Sequence, residues 1–521
     1  MAQGAIGGIP ICAIIAGWKI GATLQMIRQA TIGRGNNGMS LPTKPPLVVS
    51  LEGALTTSNL AVEALLIRIR RFPLFLLGAI YLLVTDARAL RRNIAATGGI
   101  PVSTLPYNAE LLGYLRAEHK SGRRLILLTH SGALVAQQIS EHLRIFESVL
   151  DVSNESDTPG LAANKILEKT GGVFSYAEGK FLHLNIWSAA RSAVLINPGP
   201  RVAEQIGRVA DIEIEFVTQR STVASWMRLL RVHQWVKNTL LFVPLMMSFA
   251  DITAGIVAVM ALAFLSWSLA ASATYVANDL WDLTSDRAHP RKRHRPLACS
   301  TISIGRAILV AALLMAAALA LAFEISVLYG LSLLTYVALT FAYSWKLKTY
   351  VLIDVLMLAI LYTWRIIAGA ISVSLHVSFW LLAFSVFFFL GLALVKRCAE
   401  LLLLQREGRA PVSGRDYIVE DLKVLWSIGA GSSLISILVF GLYINQPETQ
   451  QRFGTPEILW LVALALIYWI GRVWIKTSRG EMHDDPVVYA LKDRASRLIV
   501  FLSLCAFIAA HLFHLKSLLV F

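Results

Sequence analysis

Residues 276–298 read VANDLWDLTSDRAHPRKRHRPLA, and this segment carries the densest chemistry in the chain. Asp279, Asp282 and Asp286 are spaced three and four apart. On a helix, that spacing puts the three carboxylates on one face. Like charges held together cost stability unless a cation lies between them, and carboxylates combined with phosphate oxygens are how Mg²⁺ is usually bound. Directly downstream stand Arg287, Arg291, Lys292, Arg293 and Arg295, a cluster suited to phosphate. A solvated basic loop would account for these bases but not for the acids. The pattern therefore predicts a Mg²⁺–phosphate site with Asp279, Asp282 and Asp286 as ligands.

A second segment, FAYSWKLKTYVLIDVLMLAILYTWRIIAGA at 341–370, offers Lys346, Lys348, Asp354 and Arg365. Asp354 and Arg365 are eleven residues apart, about three helical turns, and so share a face. Arg365 falls within an apolar run. A charge at membrane depth faces a polar cavity by default, which predicts a phosphate ligand, with pairing to a helix-end acid as the alternative. Lys396, Arg397 and Glu400 form a further charged group, in which Lys396 and Glu400 have the spacing of a simple helical ion pair. DDPVVYALKDR, at 484–494, is too polar to span a membrane and suggests no role by itself.

The elements that must position these residues follow from composition. Of 521 residues, 56% are hydrophobic and 16% charged, and the mean hydropathy is +0.61. Disorder and fibrous folds are excluded, and a polytopic membrane protein is indicated. The net charge of +15 comes from 48 basic and 33 acidic residues. Because the bases lie beside apolar spans, anionic membrane lipid and phosphorylated substrates are the expected partners, not nucleic acid. The four cysteines form no CxxC pair, so neither a zinc site nor a disulfide framework is expected. The apolar run at 5–17 is too short to span and lacks a basic flank, so it does not read as a signal peptide, and 31–46 reads as a linker.

Residues 47–216 alternate β-type runs (47–51, 125–129, 173–177, 193–197) with helical stretches, which predicts a parallel α/β sheet. The apolar stretch 72–84 interrupts them, as either a cap helix on the membrane or a core helix. From 226 onward nine apolar runs follow, at about 237–250, 254–277, 302–322, 325–343, 351–371, 378–395, 424–444, 457–475 and 498–519, and each except the first approaches the roughly 20 residues needed to span. Loops 278–301, 344–350, 396–423 and 476–497 are rich in Lys and Arg, while the alternate loops hold Arg452 alone. The positive-inside rule places the basic loops and the α/β half in the cytoplasm and the C-terminus on the far side, and the expected setting is the cell inner membrane, crossed several times.

Asn278-Asp279-x-x-Asp282-x-x-x-Asp286 resembles the NDxxDxxxD motif of the UbiA superfamily of intramembrane prenyltransferases. That resemblance, over 226–521, implies nine transmembrane helices around a cavity and Asp motifs that hold a diphosphate through Mg²⁺. Typical members carry a second Asp-rich pair where this chain has Lys346, Lys348 and the single acid Asp354. The segment looks instead like the decaprenyl-phosphate phosphoribosyltransferase branch, with its YSxxLKxxxxxD…RxxAG pattern on Tyr343, Lys348, Asp354 and Arg365. RVHQWVKN at 231–238 and VKRCAEL at 395–401 point the same way. The implied substrate-binding set is Asn278, Arg287, Lys292, Arg293, Arg295, Tyr343, Lys348, Asp354, Arg365, Lys396 and Arg397. The implied partners are phosphoribosyl diphosphate and a polyprenyl phosphate. A prenyl diphosphate with an aromatic or other acceptor is the second reading. A non-catalytic membrane scaffold is a third, disfavoured by the intact Asp motif.

Residues 47–220 resemble the haloacid-dehalogenase (HAD) fold with its chemistry removed. Ser50-Leu51-Glu52-Gly53-Ala54 stands where that family has DxDGT, so the nucleophile position holds Ser50. Thr129 or Ser131 fits the second motif and Lys165 lies near the third. Glu178–His183 replaces GDSxxD with both acids lost, at Gly179 and His183. A phosphoaspartate mechanism needs those carboxylates, so this half is expected to be a silent pseudo-phosphatase. The resulting expectation is a 1–46 extension, a degenerate α/β HAD-like domain at 47–220, and an all-α UbiA-like membrane domain at 226–521.

Overall fold

The computed structural model describes residues 44–72, 75–86, 99–130, 132–153, 160–179, 184–217, 221–248, 253–407, 415–482 and 485–513. The apolar run at 5–17, most of the expected linker, Ser131 and His183 lie outside them.

Six parallel strands are described: β1 (Leu47–Ser50), β2 (Leu125–Thr129), β3 (Ser148–Asp151), β4 (Ser175–Glu178), β5 (Ser192–Ile196) and β6 (Asp211–Phe216). Their order is β3-β2-β1-β4-β5-β6. The four central strands correspond to the apolar runs and are buried throughout. The two edge strands escape a search for apolar runs, because β6 reads DIEIEF and is largely exposed. A strand covered on both faces must be apolar along its length, whereas an edge need not be. The expected parallel α/β sheet is therefore present, wider by two strands.

Helix α1 (Leu60–Arg71) follows β1, and the Asn59 side chain caps it by accepting from Val62 N at 3.2 Å. Helix α2 (Phe75–Thr85) is the apolar stretch left open above. Its Ala79 is buried, and Phe75 and Leu82 pack on the core cluster of the sheet, while Tyr81 is 67% exposed on the opposite side.

Beyond residue 253, eight described helices are long and apolar enough to cross a membrane. They are α3 (Ala254–Trp281), α5 (Ile304–Ile325), α6 (Val327–Trp345), α7 (Ile353–Ser372), α8 (Phe379–Glu407), α9 (Leu422–Ile444), α10 (Leu459–Ser478) and α11 (Arg494–Leu512). Between α3 and α5 lies the six-residue α4 (Leu283–Ala288). Leu313, Leu434 and Leu464 are each 61% exposed on the helix exteriors, as surfaces that meet lipid must be. The inward faces carry small and hydroxyl residues, which allow close helix contact. Ser266 Oγ of α3 donates to Ala318 O of α5 at 2.8 Å, and Tyr329 OH of α6 donates to Ala263 O of α3 at 2.8 Å.

The first expected span, 237–250, is not one of these helices. The chain there forms a 3₁₀ segment, Val232–Phe242, followed by a short helix, Val243–Ser248. Its polar residues Gln234, Lys237 and Asn238, together with Pro244, suit a segment packed within protein and not one exposed to lipid. Asn238 is buried, and the segment presses against α7 so closely that a Cβ on Gly369 would stand 2.0 Å from Leu241 O.

Candidate functional site

A cavity of about 440 Å³ opens among the ends of α3, α6, α7 and α8, the 3₁₀ segment and the loop before α11. Eight basic side chains line it against three acids, Asp282, Glu400 and Asp485. Such a surplus of cations in a recess built from apolar helices suits a polyanion.

The Asp-rich segment does not run on as one helix. It breaks at Asp282, the shared cap between α3 and α4 (φ −91°, ψ 8°). The expected single face of three carboxylates is accordingly split. Asp279 and Asp286 turn to one guanidinium, Arg295 Nη1, at 3.1 and 2.6 Å, and Arg231 Nη2 also donates to Asp279 at 2.5 Å. Asp282 turns to Lys348, whose Nζ lies 3.1 and 3.0 Å from its two oxygens. Asp282 remains 22% exposed, against 3% for each of the other two. Among the described residues, no three His, Cys, Asp or Glu side chains converge closely enough to hold a metal on their own. Each acid is met by a cation, the arrangement that a metal and a phosphate entering together would replace.

Arg365 lines the cavity from α7 and is firmly held. Nε donates to Asn238 Oδ1 at 3.1 Å, Nη1 to Leu361 O at 2.5 Å and Nη2 to Tyr336 OH at 2.9 Å, and the guanidinium sits 4.9 Å from the Tyr336 ring centre. Its carboxylate partner is not Asp354, despite their shared face. Asp354 is fully buried, accepts from Arg397 Nη2 at 2.6 Å and bonds the Tyr417 hydroxyl. Arg397 also pairs with Glu400, which Arg415 reaches at 3.0 Å. Asp354 and Arg397 thus stand behind the cavity wall, not in it.

One family model, described as "UbiA prenyltransferase family", matches residues 239–486. An uncharacterized protein of Sinorhizobium fredii, y4nM, is 32% identical over 90% of this chain and 91% of its own length. The chain belongs to the UbiA prenyltransferase family. It is a multi-pass membrane transferase of that family. Nodulation protein NoeC of Azorhizobium caulinodans is 32% identical over 52% of this chain and 88% of its own. Decaprenyl-phosphate phosphoribosyltransferase of Mycobacterium tuberculosis is 30% identical over 55% of this chain and 94% of its own.

Within this UbiA chain the cavity brings together Asn278, Asp282, Lys292, Arg295, Tyr343, Lys348, Arg365 and Lys396 from the residues expected. Arg287, Arg293, Asp354 and Arg397 are not on its wall, and Asp279 and Asp286 reach it through Arg295. Arg293 is exposed beside His294, and Arg287 is buried against the α/β half. Burial, reinforced by neighbouring Arg295 and Arg415, pushes the Lys292 ammonium below its ordinary value despite Asp286 nearby.

Four charged wall residues were missed. Arg231 caps the 3₁₀ segment and Lys237 lies within it, Arg415 comes from the stretch before α9, and Asp485 from the polar stretch without an assigned role. Asp485 accepts from Lys237 at 2.9 Å and from Lys396 at 3.5 Å, and its other oxygen caps the helix Pro486–Lys492 through Val487 N at 3.1 Å. Burial raises the Asp485 carboxyl, but the two ammonium groups outweigh it and hold it below its usual range. The run RVHQWVKN was the signal for Arg231 and Lys237. It was read as a mark of the resemblance alone, and the expected first span took in Lys237 but not Arg231.

In the α/β half, Ser50, Glu52, Thr129 and Glu178 gather at the ends of β1, β2 and β4. Thr129 Oγ1 and His130 N donate to Glu52 at 3.0 and 3.2 Å. Ser50 Oγ and Tyr176 OH donate to Glu178 at 3.4 and 2.7 Å. A carboxylate therefore does stand beside Ser50, supplied by Glu178. A Cβ on Gly179 would lie 1.5 Å from Ile196 O, so the following position has no room for a side chain.

Proposed function

We propose that the protein transfers a phosphoribosyl group from phosphoribosyl diphosphate to a polyprenyl phosphate, with Mg²⁺ as cofactor. One observation carries the choice of donor. The 341–354 segment gives the cavity Lys348 and withdraws its single acid, Asp354, into a buried pair with Arg397. Cations stand where a second Asp-rich pair would serve a prenyl diphosphate. The similarity to decaprenyl-phosphate phosphoribosyltransferase supports the same donor.

Asn278 and Asp282 from the wall, with Asp279 and Asp286 beside them, are the residues that would hold Mg²⁺, which neutralises the leaving diphosphate. Mg²⁺ typically takes one or two protein carboxylates and completes its shell with water and phosphate, so this donor set fits it. Lys348 and Arg295, released from their acids, bind the diphosphate oxygens. Arg365, Lys237 and Lys396 lie across the cavity for the remaining phosphates of donor and acceptor. An oxygen of the lipid phosphate attacks C1 of ribose, and the C1–O bond to the diphosphate breaks. That oxygen is already anionic, so no protein base is required. The chain supplies positioning and charge stabilisation.

The α/β sheet order and the residues at its strand ends support a HAD-like domain over 47–220 without phosphatase chemistry, followed by the membrane domain at 226–521. The basic loops support a cytoplasmic placement of the α/β half and the Asp-rich segment at the cell membrane. The test is to incubate membranes containing the protein with labelled phosphoribosyl diphosphate and, separately, with a labelled prenyl diphosphate. Label entering lipid phosphate from the first supports the proposal. Transfer from the second alone establishes the prenyltransferase reading.

A further inference from the structure

Arg287 immediately follows Asp286 in the Asp-rich segment, yet its side chain points away from the cavity. It forms a bidentate pair with Glu63 of α1, Nη1 to Oε2 and Nη2 to Oε1 at 2.8 Å each, 224 residues apart in sequence. Both side chains are almost wholly buried, at 3% and 2% exposure. Arg287 Nε also donates to Ala298 O at 3.1 Å, and Ser58 bonds Glu63 from behind. Arg70, at the other end of α1, donates to Thr284 Oγ1 at 3.1 Å. Between these polar contacts, Val62 and Leu66 of α1 pack on the cluster that contains Leu283, Leu297 and Ile302.

These contacts act on one stretch of chain. Thr284 and Arg287 belong to α4, and Ala298 lies in the turn that closes the same hook. The hook carries Asp286 and Arg295, paired at 2.6 Å, and Arg295 lines the cavity. A planar, two-bonded guanidinium fixes direction as well as distance. A partner that orients a ligand-bearing segment affects affinity although it never touches the ligand.

We propose that the α/β half is a built-in positioning module for the transferase loop. Glu63 is its positioning residue and holds, through Arg287, the segment 283–298 in the conformation that presents Asp282, Asp286 and Arg295 to an incoming diphosphate. This gives the half a function that does not depend on hydrolysis. It rests on the reading of the cavity as a Mg²⁺–diphosphate site, but not on which donor or acceptor is used.

The test uses the full-length protein in lipid nanodiscs, with hydrogen exchange as the readout and Mg²⁺ with inorganic pyrophosphate as the probe. Glu63→Gln keeps the shape and removes the charge. Exchange in 283–298 should rise, and the pyrophosphate concentration that protects this segment should increase about 10–100-fold, while β1–β6 exchange as in the wild type. Arg70→Ala, at the exposed edge of the same contact, should shift both readings in the same direction by a smaller factor, and it serves alone if Glu63→Gln does not fold. Unchanged exchange and protection in the variant read would overturn the proposal. So would a rise spread evenly over the sheet and the loop with the pyrophosphate titration unmoved, because the pair would then merely hold the fold together. Wild-type protein that Mg²⁺ and pyrophosphate never protect would instead refute the reading of the cavity, and the exchange of 283–298 without ligand would still decide whether Glu63 restrains the loop.

Discussion

The molecule contains two places where acids gather at the ends of regular elements, and they are completed differently. In the membrane half, Asp279, Asp282 and Asp286 are answered by the cations Arg231, Arg295 and Lys348. In the α/β half, the described partners of Glu52 and Glu178 include hydroxyls and a backbone N–H, from Thr129, His130, Ser50 and Tyr176. Ion pairs at a cavity wall can exchange their partners when a metal and a phosphate arrive together. Donors carried by the strands stay in place with the sheet and hold each carboxylate in one direction. A carboxylate cluster is therefore identified as a working site less by its acids than by the partners that hold them.

The sharpest way to break this contrast is Asp282→Asn. Removing the most exposed acid of the Asp-rich segment should lower transfer on the order of 10²–10³-fold, the scale of losing one charge-stabilising group in an active site. The thermal midpoint should move little, since the side chain is partly exposed. Wild-type transfer at saturating Mg²⁺ would leave the two acid clusters equivalent.

Arg365→Leu probes the opposite wall. An apolar replacement suits a membrane helix, so insertion should be intact. Asn238 and Tyr336 lose their partner, however, and transfer should fall roughly 10-fold, in line with about 1–3 kcal/mol for a buried polar group left unsatisfied. Unchanged steady-state kinetics would make Arg365 a structural residue.

A third test concerns how the α/β half is held at low pH. Burial raises Glu213, but hydrogen bonds from Arg123, Ser192 and Ser175 outweigh it and lower the carboxyl from 4.5 to about 2. A carboxyl depressed in the folded state stabilises it above the unfolded value and loses that contribution as pH falls from 4.5 towards 2. Protection of the β4–β6 amides, taken relative to the intrinsic exchange rate at each pH, should fall over that interval in the wild type. In Glu213→Gln this step should be absent, with faster exchange already at neutral pH.

The smallest expected effect is none. Ser50→Asp restores a nucleophile type to the α/β half, but the Gly179 position has no space for an acid. Full-length protein carrying it should not hydrolyse p-nitrophenyl phosphate at any Mg²⁺ concentration. Activity that appears with Ser50→Asp would show that the strand-end acids are still usable, and would remove the contrast drawn above.

Much of this was legible in the chain because its cause is local. The spacing of Asp279, Asp282 and Asp286 announces an acid site within eight residues, and fully apolar runs announce central strands and spans. What was not legible depends on distant partners. Arg287 looks like its basic neighbours until Glu63 meets it from 224 residues away, and Asp485 has no evident purpose until Lys237 meets it from 248 away. The shared face of Asp354 and Arg365 was sound helical geometry, but a common face does not make a contact when Arg397 and Asn238 lie closer to each. The 237–250 run is apolar but shorter than the roughly 20 residues a span needs, and Lys237 and Asn238 at its start turn into the protein.

Arg365 also bears on how the protein is built. An arginine within α7 makes that helix expensive to release into lipid alone. Its side-chain partners, Asn238 and Tyr336, precede it in the chain, so a ribosome has made both before Arg365 emerges. The helix can enter the bilayer beside an acceptor and a ring already in place. Arg397, the cation for Asp354, comes 43 residues after its acid. Biogenesis thus has an order written into it, with the cavity's inner wall assembled as α7 inserts and the pair behind the wall locked only when α8 follows.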